Sequence, residues 1–161
     1  MNSCILILDN IRSVANVGSI FRTADCLGVS KIVLVGTTPT PLDRFGRKRK
    51  DFIKVSLGAE NFVPWEYSKS IFPVLDQFNK KKIIALEQDL SAIHLTPAPL
   101  LNKERGEEKR LNFILIVGNE VGGISKEVLD RCDKIIEIPM KGKKESLNVS
   151  VATGIALFNL L

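Results

Sequence analysis

Five short apolar runs are spaced along the chain, and each ends in a Gly, Pro or polar residue. They are rich in Ile, Leu and Val with little polar alternation, which is typical of strands buried on both faces. The runs are CILILD (4–9), KIVLVG (31–36), KKIIALE (81–87), FILIVG (113–118) and KIIEIP (134–139). Because helical patterns separate them, they predict an α/β fold with a mostly parallel sheet and helices on both faces.

The segments between the runs predict helices. The first begins near Asn16, whose side chain can cap it, and ends at Gly28. Another has Ser68 as its candidate cap. Pro64 restricts the ambiguous segment 63–67 to a loop or an edge strand. The remaining predicted helices are 55–60, 68–78, 124–131 and 148–161, and the charged stretch 101–110 is predicted to be a surface excursion.

The last helical segment, VSVATGIALFNLL (149–161), is apolar on all sides. A helix of this kind must be buried on more than one face. A small domain has little interior for it, so part of its surface is expected to contact another subunit. The alternative is a central core helix.

Length and charge narrow the possibilities further. With 161 residues, the chain is predicted to form one domain, residues 1–161. Its net charge of +5 favours polyanionic partners. The cations cluster in RFGRKRK (44–50) and in a second loop, which indicates either solvated loops or contacts to a phosphate backbone. The candidate residues for contact with a phosphate backbone are Arg44, Arg47, Lys48, Arg49, Lys50, Lys141, Lys143 and Lys144.

Several common kinds of site are absent from the sequence. No G-x-x-x-x-G-K-[ST] or G-x-G-x-x-G motif follows a predicted strand. His94 is the only histidine, so we expect a structural or surface role for it and no metal site. The cysteines, at positions 4, 26 and 132, are expected to be buried free thiols of a cytoplasmic protein. The sequence predicts neither a signal peptide nor a transmembrane helix.

Polar constellations lie at the carboxyl ends of three predicted strands, where parallel sheets bind ligands. They are NIRSVANVGSIFRTAD (10–25), GNEVGG (118–123) and IPMKGKKESLNVSVA (138–152). Taken singly, they indicate only a capped helix with an exposed arginine, a glycine-rich turn and a helix N-cap.

In this order and spacing, the motifs N-x-G-x-x-x-R-T-A-D, G-N-E-x-x-G and I-P-M-x(5)-S-L-N-V-S-V-A together resemble the SPOUT superfamily of RNA methyltransferases, specifically its TrmH (SpoU) branch. The resemblance covers nearly the whole chain. It implies an α/β fold with a deep C-terminal trefoil knot, a homodimer formed through the C-terminal helix and knot region, and methylation of a ribose 2′-OH in tRNA or rRNA.

The resemblance also implies functional residues. The cofactor, S-adenosyl-L-methionine, is expected to contact Leu86, Gly118, Asn119, Ile138, Met140, Ser146 and Leu147. The family's catalytic positions match Asn16, Arg22, Glu120, Ser146 and Asn148. In the family, Arg22 is assigned to activating the hydroxyl. Because guanidinium hardly ever loses a proton, holding a phosphate is the alternative role for Arg22.

Many relatives carry additional RNA-recognition segments, whereas this sequence begins at the first strand and ends within the last helix. Target selection is therefore expected to rest on the two basic loops or on a partner protein. Two other functions remain open, a non-catalytic RNA-binding module and a base methyltransferase of another SPOUT branch.

Overall fold

The computed structural model describes residues 3–78, 80–95 and 112–161. The predicted surface excursion at 101–110 lies outside these residues. The strands are β1 (Ser3–Asp9), β2 (Lys31–Val35), β3 (Trp65–Ser68), β4 (Lys82–Leu86), β5 (Ile93–His94), β6 (Asn112–Val117) and β7 (Lys134–Glu137). The helices are α1 (Val14–Cys26), α2 (Lys50–Ser56), α3 (Ile71–Gln77), α4 (Lys126–Leu129) and α5 (Val149–Leu160).

The described strands form one sheet in the order β3-β2-β1-β6-β4-β7-β5. Every neighbouring pair is parallel. A parallel connection needs a crossover, which places helices over the sheet. The predicted α/β fold with a parallel sheet is therefore confirmed.

Alternate residues of the interior strand β1 face two separate cores. Leu6 and Leu8 pack on the side of α1 and α5, where the Phe21 and Phe52 rings meet edge to face at 5.3 Å. The neighbouring side chain of Ile7 belongs to the core beneath α3 and α4. All these side chains are fully buried. Because successive residues of a strand point to opposite faces, β1 contributes side chains to both cores.

The five predicted strands are present, and the described residues contain two further short strands. β3 forms from the ambiguous segment and lies at the sheet edge, as its preceding proline requires. β5 was not predicted from the sequence. It has two residues and borders β7 at the other edge, so it is too short to leave an apolar pattern.

Two helix starts were predicted wrongly. α1 is capped by Ser13, whose Oγ accepts a hydrogen bond from the Asn16 backbone N–H at 3.2 Å, so Asn16 lies inside the helix. α3 begins after Ser70, whereas Ser68 ends β3 and donates its hydroxyl to the Ser70 carbonyl at 2.7 Å. In both segments neighbouring Ser and Asn side chains compete as caps, and spacing alone does not choose between them.

Other helix boundaries also differ from those predicted from the sequence. The helix expected at 55–60 is α2, which begins at Lys50 and ends before Leu57 at φ 52°, and residues 59–61 form a separate 3₁₀ turn. α4 covers only four residues of the expected 124–131. The predicted end of α1 is confirmed, because Gly28 adopts φ 72° directly after it.

The cysteines are free thiols, as expected, but they are not all buried. Cys4 is buried, Cys132 is half-buried, and Cys26 is exposed because it lies on the outer side of α1. Burial raises the pKa of Cys4 to about 12 and that of Cys132 to about 11, so both thiols stay protonated at neutral pH.

His94 is a surface residue, and its Nε2 lies 2.7 Å from the Glu137 carboxylate. Within the described ranges, no group of three or more His, Cys, Asp or Glu side chains is arranged to hold a metal ion. Nor does any helix in those ranges combine the length and hydrophobicity needed to cross a membrane.

Candidate functional site

A cavity of about 420 Å³, the edge cavity, opens at the carboxyl edge of the sheet. The segments that follow β4, β6 and β7 form its walls. All seven residues predicted to contact the cofactor line it: Leu86, Gly118, Asn119, Ile138, Met140, Ser146 and Leu147. Glu120 and Asn148 of the predicted catalytic set line it too.

Residues 118–123 form a tight loop after β6, the glycine loop. At Gly118 a Cβ atom would lie 2.6 Å from the Gly123 carbonyl carbon, so the loop closes on itself only without a side chain there. The Asn119 Oδ1 accepts the backbone N–H groups of Val121 and Gly122 at 2.8 and 3.0 Å. Its Nδ2 donates to the Asn10 carbonyl at 2.6 Å, which ties the glycine loop to β1.

Glu87 and Gln88 join the three walls of the cavity and were not predicted from the sequence. The Glu87 carboxylate accepts the Ile124 backbone N–H at 2.7 Å, beyond the glycine loop. The Gln88 side chain donates to the Glu145 carbonyl at 2.6 Å. The only sequence signal was the position of Glu87 at the end of a predicted strand, which alone indicates no role.

Glu120 fixes the start of α1 beside the cavity. Its carboxylate accepts the backbone N–H groups of Arg12 at 3.1 Å and Ser13 at 3.4 Å, and the Asn16 side-chain Nδ2 at 3.0 Å. Burial raises the pKa of Glu120, but the hydrogen bonds from Asn16 and from backbone N–H groups outweigh this effect and lower the pKa below its usual value. The carboxylate is therefore charged at neutral pH and surrounded by donors.

Asn148 extends this arrangement to the last helix. It is the N-cap of α5, where its Oδ1 accepts the Ser150 backbone N–H at 2.9 Å. Its Nδ2 donates to the Asn16 Oδ1 at 3.1 Å. Glu120, Asn16 and Asn148 thus form a hydrogen-bonded relay, the polar relay, which joins the glycine loop, α1 and α5. Ser146 lies two residues earlier and lines the same cavity.

Arg22 lies apart from the other predicted catalytic residues. Its side chain is exposed on α1 and lines a shallow cavity of about 390 Å³ with Ser19, Gly154 and Phe158. It does not line the edge cavity. The structure therefore brings four of the five predicted catalytic residues together and leaves Arg22 on the outer face of α1 and α5.

The basic segment 44–50 is an ordered loop up to Arg49, and Lys50 is the first residue of α2. Asp43 accepts the backbone N–H groups of Phe45 and Arg47 at 2.8 and 2.9 Å, and it pairs with the Arg47 guanidinium at 2.8 Å. These hydrogen bonds, above all the one from the Arg47 backbone, lower the pKa of Asp43. The Arg44 and Arg47 guanidinium groups lie 4.7 and 5.0 Å from the centre of the Phe45 ring, which is 65% exposed.

The other candidate RNA contacts differ in how firmly they are held. Arg49 pairs with Asp51 at 2.7 Å, and the Lys48 Nζ donates to the Asn61 side chain. Lys141, Lys143 and Lys144 are exposed on the segment that leads to Ser146 and form no ion pair within the described part of the chain. Both basic loops therefore present cations to solvent.

Residues 3–158 match the model of the SpoU rRNA Methylase family. An uncharacterized tRNA/rRNA methyltransferase of Archaeoglobus fulgidus is 32% identical over 98% of this chain and 64% of its own length. The 23S rRNA (guanosine-2′-O-)-methyltransferase RlmB of Pasteurella multocida is 29% identical over 99% of this chain and 60% of its own.

Solved structures agree with these relatives. A putative RNA methyltransferase of the TrmH family from Porphyromonas gingivalis superposes with a TM-score of 0.78 at 28% identity, over 98% of this chain and 59% of that one. The chain thus spans about three fifths of the length of the curated relatives it matches. By its motifs, its sheet and its match over residues 3–158, the chain belongs to the SpoU methylase family.

Proposed function

We propose that this protein transfers a methyl group from S-adenosyl-L-methionine to a ribose 2′-OH of tRNA or rRNA. The observation that carries the proposal is the polar relay of Glu120, Asn16 and Asn148 at the wall of a cavity suited to an adenosyl group. Membership of the SpoU family supports the reaction class. The name of the Pasteurella multocida relative, a guanosine-2′-O-methyltransferase, supports the ribose as the acceptor.

The residues of the edge cavity suit the cofactor. Leu86, Ile138, Met140 and Leu147 supply apolar walls. Within the described residues, the backbone groups of Ile138, Met140 and Leu147 have no hydrogen-bond partner. An adenine needs such an apolar slot with a few fixed donors and acceptors. When bound, the cofactor supplies a methyl group made electrophilic by its sulfonium.

The polar relay orients the ribose 2′-OH, which accepts the methyl group, and does not take the proton of that hydroxyl. Glu120 already accepts three donors, and its lowered pKa makes it a weak base. Asn16 and Asn148 hold each other through amide groups, which do not titrate. Their role is to hold the start of α1 and of α5 in place, so that the ribose 2′-OH is aligned for in-line attack on the methyl group.

We further propose that the protein is a homodimer formed through α5 and the outer face of α1, including the knot region. On α5 the exposed fractions of Val151, Ile155 and Phe158 are 50%, 37% and 76%, and these residues share one side of the helix. Arg22 borders this apolar face. Because Arg22 does not line the cavity of its own protomer, its catalytic role requires the partner subunit.

RNA contact is proposed for the two basic loops, 44–50 and 141–144. Arg22 would hold a phosphate of the same RNA beside the reacting ribose, since its guanidinium cannot serve as a base. The proton of the 2′-OH would leave to that phosphate or to water. The proposal includes one domain over residues 1–161, the deep C-terminal knot and a cytoplasmic location, all of which rest on the resemblance or on the sequence.

Calorimetric titration with S-adenosyl-L-methionine tests the proposal directly. We expect saturable binding with one site per chain, and incorporation of label from the methyl donor into RNA. A non-catalytic RNA-binding module would bind RNA but show no heat with the cofactor, and that result would overturn the proposal.

A further inference from the structure

A second cavity of about 510 Å³, the nucleotide cavity, lies on the other side of the glycine loop. It is bordered by Ile71 and Phe72 of α3 and by Val128 of α4, whereas the edge cavity is bordered by α5. The two cavities share Asn119 and other residues of the glycine loop. A molecule in the nucleotide cavity would therefore lie next to the proposed site of methyl transfer.

The unusual group in its wall is the carboxylate of Asp9. Asp9 ends β1 and is only 7% exposed. Its Oδ1 accepts the Asn10 Nδ2 at 2.9 Å, while no hydrogen bond to its Oδ2 occurs within the described residues. Burial raises the pKa of Asp9, and the hydrogen bond from Asn10 offsets this only in part. A buried carboxylate without a cation is costly unless other donors reach it.

Two cationic residues and one aromatic residue line the cavity with Asp9, among neutral polar and aliphatic neighbours. Arg12 and Lys69 line the cavity, are exposed, and form no ion pair within the described residues. Phe72 contributes a ring that is 39% exposed. The Arg12 backbone N–H is bound to Glu120, which fixes the base of this side chain next to the polar relay.

We propose that the nucleotide cavity binds a guanine nucleotide. The N1–H and N2–H₂ groups of guanine are neighbouring donors on one edge and would both bind the Asp9 carboxylate, which accepts only. The phosphate would bind Arg12 and Lys69, and the purine would stack on Phe72. Adenine, cytosine and uracil present acceptors beside their donors on that edge, so they match a carboxylate less well. The inference rests on the proposed function, since it assigns a base to the RNA acted on there.

The same chemistry could be supplied by a guanosine within RNA or by a free guanine nucleotide. Two sets of ligands separate these sources. The first is the four free nucleoside 5′-monophosphates. The second is a series of single-stranded RNA oligonucleotides that are identical except for one central base. If RNA is the source, the guanine-containing oligonucleotide binds more tightly than free 5′-GMP.

The test measures binding of both sets to the wild-type protein and to the isosteric variant Asp9→Asn. We expect the wild type to prefer guanine, and D9N to weaken guanine binding about ten- to a hundredfold, because hydrogen bonds to a charged group are lost. Asp130→Asn is the matched control, since Asp130 is an exposed carboxylate that does not line the cavity, and it should leave binding unchanged. Equal affinity of the wild type for all four bases overturns the inference without any variant.

A double variant Arg12→Ala/Lys69→Ala covers the case in which D9N does not fold. It should weaken all four monophosphates alike and keep the order of base preference, because it removes only phosphate contacts. Unchanged phosphate affinity in this variant would overturn the inference. Binding of S-adenosyl-L-methionine is measured in parallel. Cofactor binding without base preference refutes the guanine site alone, whereas absence of cofactor binding refutes the proposed function.

Discussion

Asn148 shows how one side chain serves both the fold and the proposed site. Its Oδ1 caps α5 through the Ser150 N–H, and its Nδ2 donates to Asn16. The two contacts use different atoms of the same amide. Substitutions can therefore separate the cap from the polar relay.

We predict that Asn148→Asp preserves the cap and breaks the relay, because a carboxylate accepts from Ser150 but cannot donate to Asn16. Asn148→Ala loses both and should lower the free energy of unfolding by about 1 kcal/mol. Both variants should reduce methyl transfer at least about tenfold. Urea unfolding and a transfer assay measure the two effects, and full activity in N148D would show that the relay is not needed.

Glu120 should make a pH-dependent contribution to stability. Its pKa in the folded protein is lowered, so its hydrogen bonds stabilise the fold above the usual Glu pKa of about 4.3 and stop doing so as the pH falls through the lower, folded value. We predict that Glu120→Gln is less stable than the wild type at neutral pH, and that this difference disappears on acidification. Urea unfolding over a pH series measures it. A difference that stays constant down to strongly acidic pH would contradict the assignment.

For single residues, the sequence predicted which side chains lie close together better than it predicted the hydrogen bonds between them. Glu120, Asn16, Ser146 and Asn148 come together as the motifs indicated. The cap on Ser13 could not be predicted because Ser and Asn compete for that role over a few positions. Glu87 had no signal because a lone carboxylate after a strand has many possible partners.

Among the larger elements, the loop 44–50 has the most specific geometry. Asp43 holds the turn, and the exposed Phe45 ring lies against two guanidinium groups. Aromatic rings flanked by cations bind unpaired bases by stacking, while the cations bind phosphates. The loop is therefore a candidate for contact with single-stranded RNA.

We predict that Phe45→Ala weakens RNA binding about tenfold without changing its salt dependence, because stacking releases no counterions. Arg44→Ala should instead reduce the slope of log affinity against log salt by somewhat less than one unit, roughly 0.7 to 0.9. Phe62→Ala is the control, since Phe62 is 74% exposed but lies outside the basic loop. Equal effects of F45A and F62A on RNA affinity would contradict a stacking role.

The elements themselves were predicted where burial dictates the pattern. The five strands of the sheet interior left apolar runs because the sheet is covered on both faces there, most completely at β1, β2 and β6. The edge strand β3 was predicted only as a strand or a loop, the edge strand β5 was missed, and the short helices α2 and α4 were misplaced. Their residues are only partly buried, so local capping and turn geometry decide their ends.

For the whole molecule, the all-round apolar pattern of the last helix has a structural explanation. One side of α5 buries Ala156 and Leu157 in the core, and the other leaves Val151, Ile155 and Phe158 exposed. The pattern therefore combines a core face with an unpaired apolar face. The apolar pattern of α5 could predict that a second face of the helix makes a contact, but not which molecule it contacts.

We predict that Phe158→Glu dissociates the dimer and strongly lowers methyl transfer, because it places a charge in the apolar face and separates Arg22 from the partner subunit. Phe62→Glu is the matched control. Sedimentation equilibrium should show a monomer for F158E and a dimer for the wild type and F62E. A wild-type protein that is monomeric at all concentrations would refute the interface.

The proposed reaction ends with the methyl group on a ribose hydroxyl of RNA. The most direct measurement is to incubate the protein with RNA and labelled S-adenosyl-L-methionine, digest the RNA to nucleosides, and identify the labelled product by mass spectrometry. We predict label on a 2′-O-methylribose, and we expect the RNA linkage on the 3′ side of that nucleotide to resist alkaline cleavage. Label on a base, or no label in RNA despite bound cofactor, would contradict it.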